Sequence, residues 1–164
     1  MSNELEKMDL LMIEIEEYLN SLPSYIHTIN LCDMGLFVLP DLSRFTNLQY
    51  LHCSDNNLTC LPKLNETLLG LYCDNNKLTS LPELNSSLKI LYCIDNELTC
   101  LPKFNENLVE VFCSYNKLTC LPDEVHNILL YIDYHNNPVC DNVTIEDGRF
   151  NGLLGKNRQK RCNK

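Results

Sequence analysis

Apolar and polar positions recur along this chain every 20 residues. The frame Leu48-x-x-Leu51-x-Cys53-x-x-Asn56-x-Leu58-Thr59-x-Leu61-Pro62 restarts at Leu68, Leu88 and Leu108, with Val111 standing for the second leucine of the last. Two looser copies flank these four. One begins near Ile26 and keeps Ile29, Leu31, Leu36 and Leu39-Pro40, with Met34 in place of the asparagine. It is 22 residues long, the extra two falling within Asp41–Asn47. The other begins near Ile128; its frame puts Asp133 at the cysteine position, Asn136 at the asparagine and Pro138 at a leucine. Ahead of the repeats, Leu5, Met8, Met12, Ile15 and Leu19 are spaced as on one helical face, with acids between them. A helix over 3–20 should end before Pro23, because proline disfavours helical geometry in the residue before it.

Each repeat has a physical reading as one coil. Leu-x-x-Leu-x-Cys predicts a short parallel strand whose leucines and cysteine point inward, too few to be buried by one coil alone. The asparagine turns the chain out of the strand and can satisfy backbone groups of the neighbouring coil. Leu-Pro makes an extended return, since proline fixes φ and restrains its neighbour. Twenty residues leave no room for a full helix on the return side. A period near 20 with this leucine pattern is that of a leucine-rich repeat. The expected fold is an α/β solenoid: a right-handed, curved parallel β-sheet with an irregular convex side and an N-terminal helical cap. Six coils stacked at the ordinary strand spacing give a concave sheet about 25 Å long. The expected organisation is a helical cap over 1–24, the solenoid over 25–138, and a C-terminal cap with a basic tail over 139–164. The cap's expected role is to cover the open end of the stack. Charges at 77, 97 and 117 (Lys, Glu, Lys) and at 63, 83, 103 and 123 (Lys, Glu, Lys, Asp) alternate in sign from coil to coil, which favours this register.

Composition narrows the function. A net charge of −9 argues against a general nucleic-acid binder, which needs a basic face. The charge is uneven: residues 1–24 hold six acids and one lysine, while 149–164 hold six basic residues and no acid. Ten cysteines suggest a disulfide framework in a small secreted domain. Here they occupy aliphatic repeat positions, as small buried hydrophobes do. Residues 1–20 lack the uninterrupted apolar run of a signal peptide, and no apolar stretch is long enough to span a membrane. The expected location is therefore intracellular, in the cytoplasm of the host or source cell, with reduced thiols. The sequons at Asn57, Asn65, Asn85 and Asn142 are then incidental.

The 20-residue frame over residues 26–137 resembles the short repeats of bacterial effector proteins that pathogens place in host cells; similar arrays occur in large DNA viruses of amoebae. That resemblance implies recognition of another protein. In the ubiquitin-ligase members of the effector family a catalytic domain with a Cys-x-Asp motif follows the repeats. Here Cys140 and Asp141 are adjacent and 24 residues remain, so that activity does not carry over.

Candidate chemistry gathers on the outer face of the strands. If Leu51 and Cys53 point inward, His52 points outward. Its column reads His52, Tyr72, Tyr92, Phe112 and Ile132, flanked by Tyr50, Ile90, Leu130, Ile94 and Tyr134, with Tyr115 and His135 along the turn. A solvated sheet face usually reads polar, whereas an apolar strip rich in tyrosine marks protein binding. Asp55, Asp74, Asp95 and Glu110 rim it, so the expected partner is a protein with an apolar patch rimmed by basic charge. The competing reading is that the rings only stack and stabilise the sheet, or that a terminal segment covers them. The cysteine column 53, 73, 93 and 113 reads as core packing rather than as disulfides or a metal site. No phosphate loop, nucleophile elbow or HExxH is present. The expectation is a protein-interaction module, not an enzyme, with no catalytic residues, metal, cofactor or small-molecule substrate. Two alternatives stand beside it: an assembly protein self-associating through the same strip, or the substrate-recruiting part of a multi-chain enzyme complex. A basic tail carrying Lys156, Arg158, Lys160, Arg161 and Lys164 reads first as a solvated terminus, with contact to nucleic acid, an anionic membrane or a localisation receptor as the alternatives.

Overall fold

The computed structural model describes residues 2–122, 131–139 and 149–151. The expected solenoid is present. Helix α1 (Ser2–Ser21) precedes six short parallel strands: β1 (Thr28–Asn30), β2 (Tyr50–His52), β3 (Gly70–Tyr72), β4 (Ile90–Tyr92), β5 (Glu110–Phe112) and β6 (Tyr131–Asp133). They lie side by side in chain order. A seventh strand, β7 (Arg149–Asn151), pairs antiparallel with β6 and so occupies the far edge of the sheet.

Strand pairing is in register coil by coil, so Ile29, Leu51, Leu71, Leu91, Val111 and Ile132 form one interior row. All six are buried, and Cys53, Cys73, Cys93 and Cys113 form a second interior row beside them. Burying each leucine contributes about 1.5–3 kcal/mol. No coil can collect that alone, so stacking and folding are one event.

The asparagines hold the turns. Asn76 Nδ2 donates to the Cys53 carbonyl of the preceding coil (3.0 Å) and to Cys73 and Asp74 of its own (3.2 and 3.0 Å), while Oδ1 accepts from the Leu58 amide (2.9 Å). Asn56, Asn96 and Asn116 repeat the pattern. One residue further back, the chain enters the left-handed region in every coil: Asp33, Asp55, Asn75, Asp95, Tyr115 and Asn136 have φ between 51° and 57°. Aspartate and asparagine tolerate that region better than other non-glycine residues.

The sixth coil departs from the expected frame by one residue. Ile132, not Tyr131, pairs with Val111, and Asp133 pairs with Phe112. Tyr134 therefore takes the buried cysteine position in place of Asp133, and Asn137 takes the ladder position expected of Asn136, donating to the Cys113 carbonyl and accepting from Leu118. Pro138 follows Asn137 and has no amide, so Val139 makes the bond to the Leu118 carbonyl that Lys117 makes to Leu98 one coil earlier.

Helix α1 covers the first coil with Ile15 and Leu19 buried and Leu11, Met12 and Leu22 packed beside them. Met8, expected on this face, is 40% exposed. The helix stops before Pro23, as its sequence demands. Its last turn holds no basic residue, and the missing cation comes from elsewhere. Arg44, within the Asp41–Asn47 segment that carries the two extra residues of coil one, donates to the Leu19 carbonyl and stacks 4.2 Å over Phe45. A cation at a helix C-terminus both pairs the free carbonyls and opposes the dipole. Of the charge columns, Lys117–Glu97 forms a 2.8 Å pair, whereas Lys63 turns to Glu66 within its own coil. Among the described cysteines seven are free thiols, and Cys120 is disulfide-bonded, a departure from a wholly reduced chain.

Candidate protein-binding surface

Because each strand is three residues long with its middle residue inside, two residues per coil face outward. The register aligns them into two columns. One carries Tyr50, Gly70, Ile90, Glu110 and Tyr131; the other carries His52, Tyr72, Tyr92, Phe112 and Asp133.

The second column is a ladder of rings. His52 lies on Tyr72 at 4.4 Å and 8° between planes, Tyr72 meets Tyr92 at 5.1 Å, and Tyr92 lies on Phe112 at 4.4 Å. Tyr131, from the other column, completes it at 4.9 Å from Phe112. Such spacings are those of favourable offset stacking. The stack stabilises the sheet and at the same time covers the ring faces. What remains toward solvent is the ring edges and the phenol hydroxyls, so the ladder residues are half-buried rather than open.

Gly70 lets Tyr50 join this surface. A Cβ there would sit 2.9 Å from the Tyr50 ring and 3.1 Å from that of Tyr72, so the Tyr50 ring lies against bare backbone. Tyr50, Ile90 and Ile94 are half-buried on the face as expected. Ile132 and Tyr134 are not on it: at 0% and 2% exposure they belong to the core, because the sixth coil runs one residue later than its leucines suggest. Asp133 takes the outward place expected of Ile132, and Tyr131 the one expected of Leu130. The Leu129–Ile132–Tyr134–Asn137 spacing, which repeats Leu108–Val111–Cys113–Asn116, is the signal that identifies this register. Leu130 lies outside the described residues.

Carboxylates surround the rings. Glu110 is in the face itself, opposite Ile90. Asp74 is half-buried and accepts the Ile94 amide at 2.8 Å; burial pushes its carboxyl up while that bond pulls it down. Burial also raises the Tyr72 and Tyr92 phenols, with Tyr50 and then Glu110 adding to it at Tyr72, and Glu110, Tyr72 and Asp74 at Tyr92. Burial lowers His52 below the ordinary histidine value.

At the C-terminal end, Tyr115 is 54% exposed and holds the left-handed backbone where other coils use aspartate or asparagine. A bulky residue there is strained, at about 1–3 kcal/mol. Its ring meets His135 edge-on at 5.1 Å, and His135 Nδ1 is 2.5 Å from the Asp133 carboxylate.

The interior thiols have different chemistry. Burial, ahead of the neighbouring Cys32 and Asp74, pushes Cys53 up to about 12, and burial raises Cys73 and Cys93 as well. The thiolate is the reactive form, so these are packing atoms. Among the described residues no three His, Cys, Asp or Glu side chains gather as a metal site, and no helix is long and apolar enough to cross a membrane.

The parallel strands, asparagine ladder and 20-residue coil define a leucine-rich-repeat solenoid. Its structural neighbours are bacterial effectors. A Shigella effector leucine-rich-repeat domain matches with a TM-score of 0.68 and 32% identity over 79% of this chain and 56% of its own. YopM from Yersinia enterocolitica matches at 0.61 and 32%, over 68% of this chain and 25% of its own. YopM from Yersinia pestis, described as a leucine-rich effector protein, matches at 0.62 and 36%, over 68% and 31%. This chain thus spans little more than half of the Shigella domain and about a third or less of the Yersinia proteins. No family model matches the chain, and no curated protein does.

Proposed function

We propose that this chain is a non-catalytic recognition module that binds a protein inside a cell through its concave ring ladder. The observation that carries the reading is the ladder itself: four rings in register on the outer face of the sheet and a fifth, Tyr131, from the neighbouring column, with Tyr50 and Ile90 beside them. Tyrosine on a rigid apolar surface is the composition of binding hot spots. The solenoid fixes the rings before contact, so little ordering entropy is lost on association. Similarity to effector repeat domains supports a protein partner. The partner's patch is apolar at its centre and basic at its rim.

The test is capture of a partner from the native host by the wild-type chain and by Tyr72→Asp with Tyr92→Asp. Both residues face outward, so the double variant should retain wild-type circular dichroism while losing capture. Capture that survives the pair overturns the site.

A further inference from the structure

We infer that the occupant of the ring ladder is a single extended polypeptide segment carrying lysine or arginine side chains with apolar side chains between them. The inference rests on recognition through the concave face and specifies what is recognised.

Size points first to a segment. Six strands of three residues make a floor about 24 Å long and about 10 Å wide. That is a few hundred Å², well below the roughly 800 Å² a side of an ordinary interface between folded proteins. About seven residues of extended chain span the same length.

Ring geometry sets where the partner's groups go. The stacked faces of Tyr72, Tyr92 and Phe112 cover one another, so a cation cannot lie flat over them. The free ring edges with Ile90 and Ile94 suit apolar side chains. A cation must instead sit beside the ladder, and that is where the carboxylates are. Glu110 lies in one flank, while exposed Asp55 and Asp95 and half-buried Asp74 line the turn side. Near the strands Glu97 pairs with Lys117 and Asp133 contacts His135 Nδ1, leaving Glu110 and Asp95 in no ion pair among the described residues. The flanks therefore carry uncompensated negative charge on a chain whose net charge is already −9. An acidic segment would be repelled from both sides, and a second copy of this chain would bring the same excess.

Tyr115 is the independent sign that the C-terminal end is used. An exposed aromatic stands in a strained backbone where five other coils place aspartate or asparagine, with an edge-on contact to His135 and over half of its surface left open. Its place beside the ladder gives the segment an anchor.

The experiment is selection of a display library of random peptides, long enough to span the sheet, on the immobilised full chain. Bound peptides should be enriched in Lys and Arg, depleted of Asp and Glu, and should dissociate as salt rises. Glu110→Gln with Asp95→Asn should weaken a selected peptide several-fold with unchanged thermal unfolding. Tyr72→Ala with Tyr92→Ala removes the rings without adding charge and should abolish binding. Neutral or acidic selected peptides that still need the tyrosines overturn this inference and leave the recognition surface standing. Peptides indifferent to the tyrosine pair overturn both. No enrichment over the library, or self-association through the face, overturns the extended segment.

Discussion

His52 opens the ring ladder, and its charge state governs how well the ladder starts. Burial holds its pKa below the ordinary 6.5, because the imidazolium would lose water against Tyr72. The unfolded chain takes up that proton first. The stabilising contribution is therefore fully present above about 6.5 and is lost as pH falls through the folded value. The thermal midpoint should decline from neutral pH to about 5, and His52→Phe, which keeps a ring without a proton to bind, should flatten that decline. An identical slope in the variant assigns the pH dependence to other groups. Asp74 runs the opposite way, its raised carboxyl contributing at low pH and losing that contribution as pH rises, in a lower window. At this scale the sequence showed which strand side chains face out in the four central coils, because alternation along a strand is strict, and missed it for Ile132 and Tyr134 in the sixth. It did not show that Tyr115 sits at positive φ, since that is a property of the turn, legible only once the neighbouring coils' Asp and Asn are aligned with it.

Within an element, the turn depends on one amide more than on its leucines' propensity. Asn96 accepts from Leu78 and donates to the Cys73 and Ile94 carbonyls, all inside the stack. Asn96→Ala should cost about 1–3 kcal/mol for each backbone group left unpaired, read as a lower urea midpoint. Lys77→Ala, on the exposed column, should stay within about 0.5 kcal/mol; equal losses would dismiss the ladder as the source of stability. The four central coils were readable from leucine spacing alone. The sixth was not, because Ile128, Leu129 and Leu130 admit two registers and Asn136-Asn137 supplies an asparagine to each. The end of α1 was readable from Pro23, but its cap was not: Arg44 is 25 residues from Leu19, and nothing local announces the contact.

For the molecule as a whole, the repeat made the fold legible because each coil meets only its neighbours, so local pattern and global architecture coincide. The surface was less legible. Columns of outward residues follow from the period, yet mutual covering of the rings, the Gly70 clearance and the position of Glu110 within the face depend on side-chain direction, which spacing leaves open. The same modularity has a consequence for length. Removing residues 68–87 deletes one complete period, restores Leu88 to the place of Leu68, and should give a folded protein with a lower midpoint in which His52 abuts Tyr92. Removing half as many residues should unfold it, because the register then has no partner; circular dichroism and thermal melting compare the two, and similar melting of both would show that periodicity does not govern the stack. Reach along the groove is thus a counted quantity rather than a continuous one, and any lineage or engineer altering it must add or subtract whole rungs.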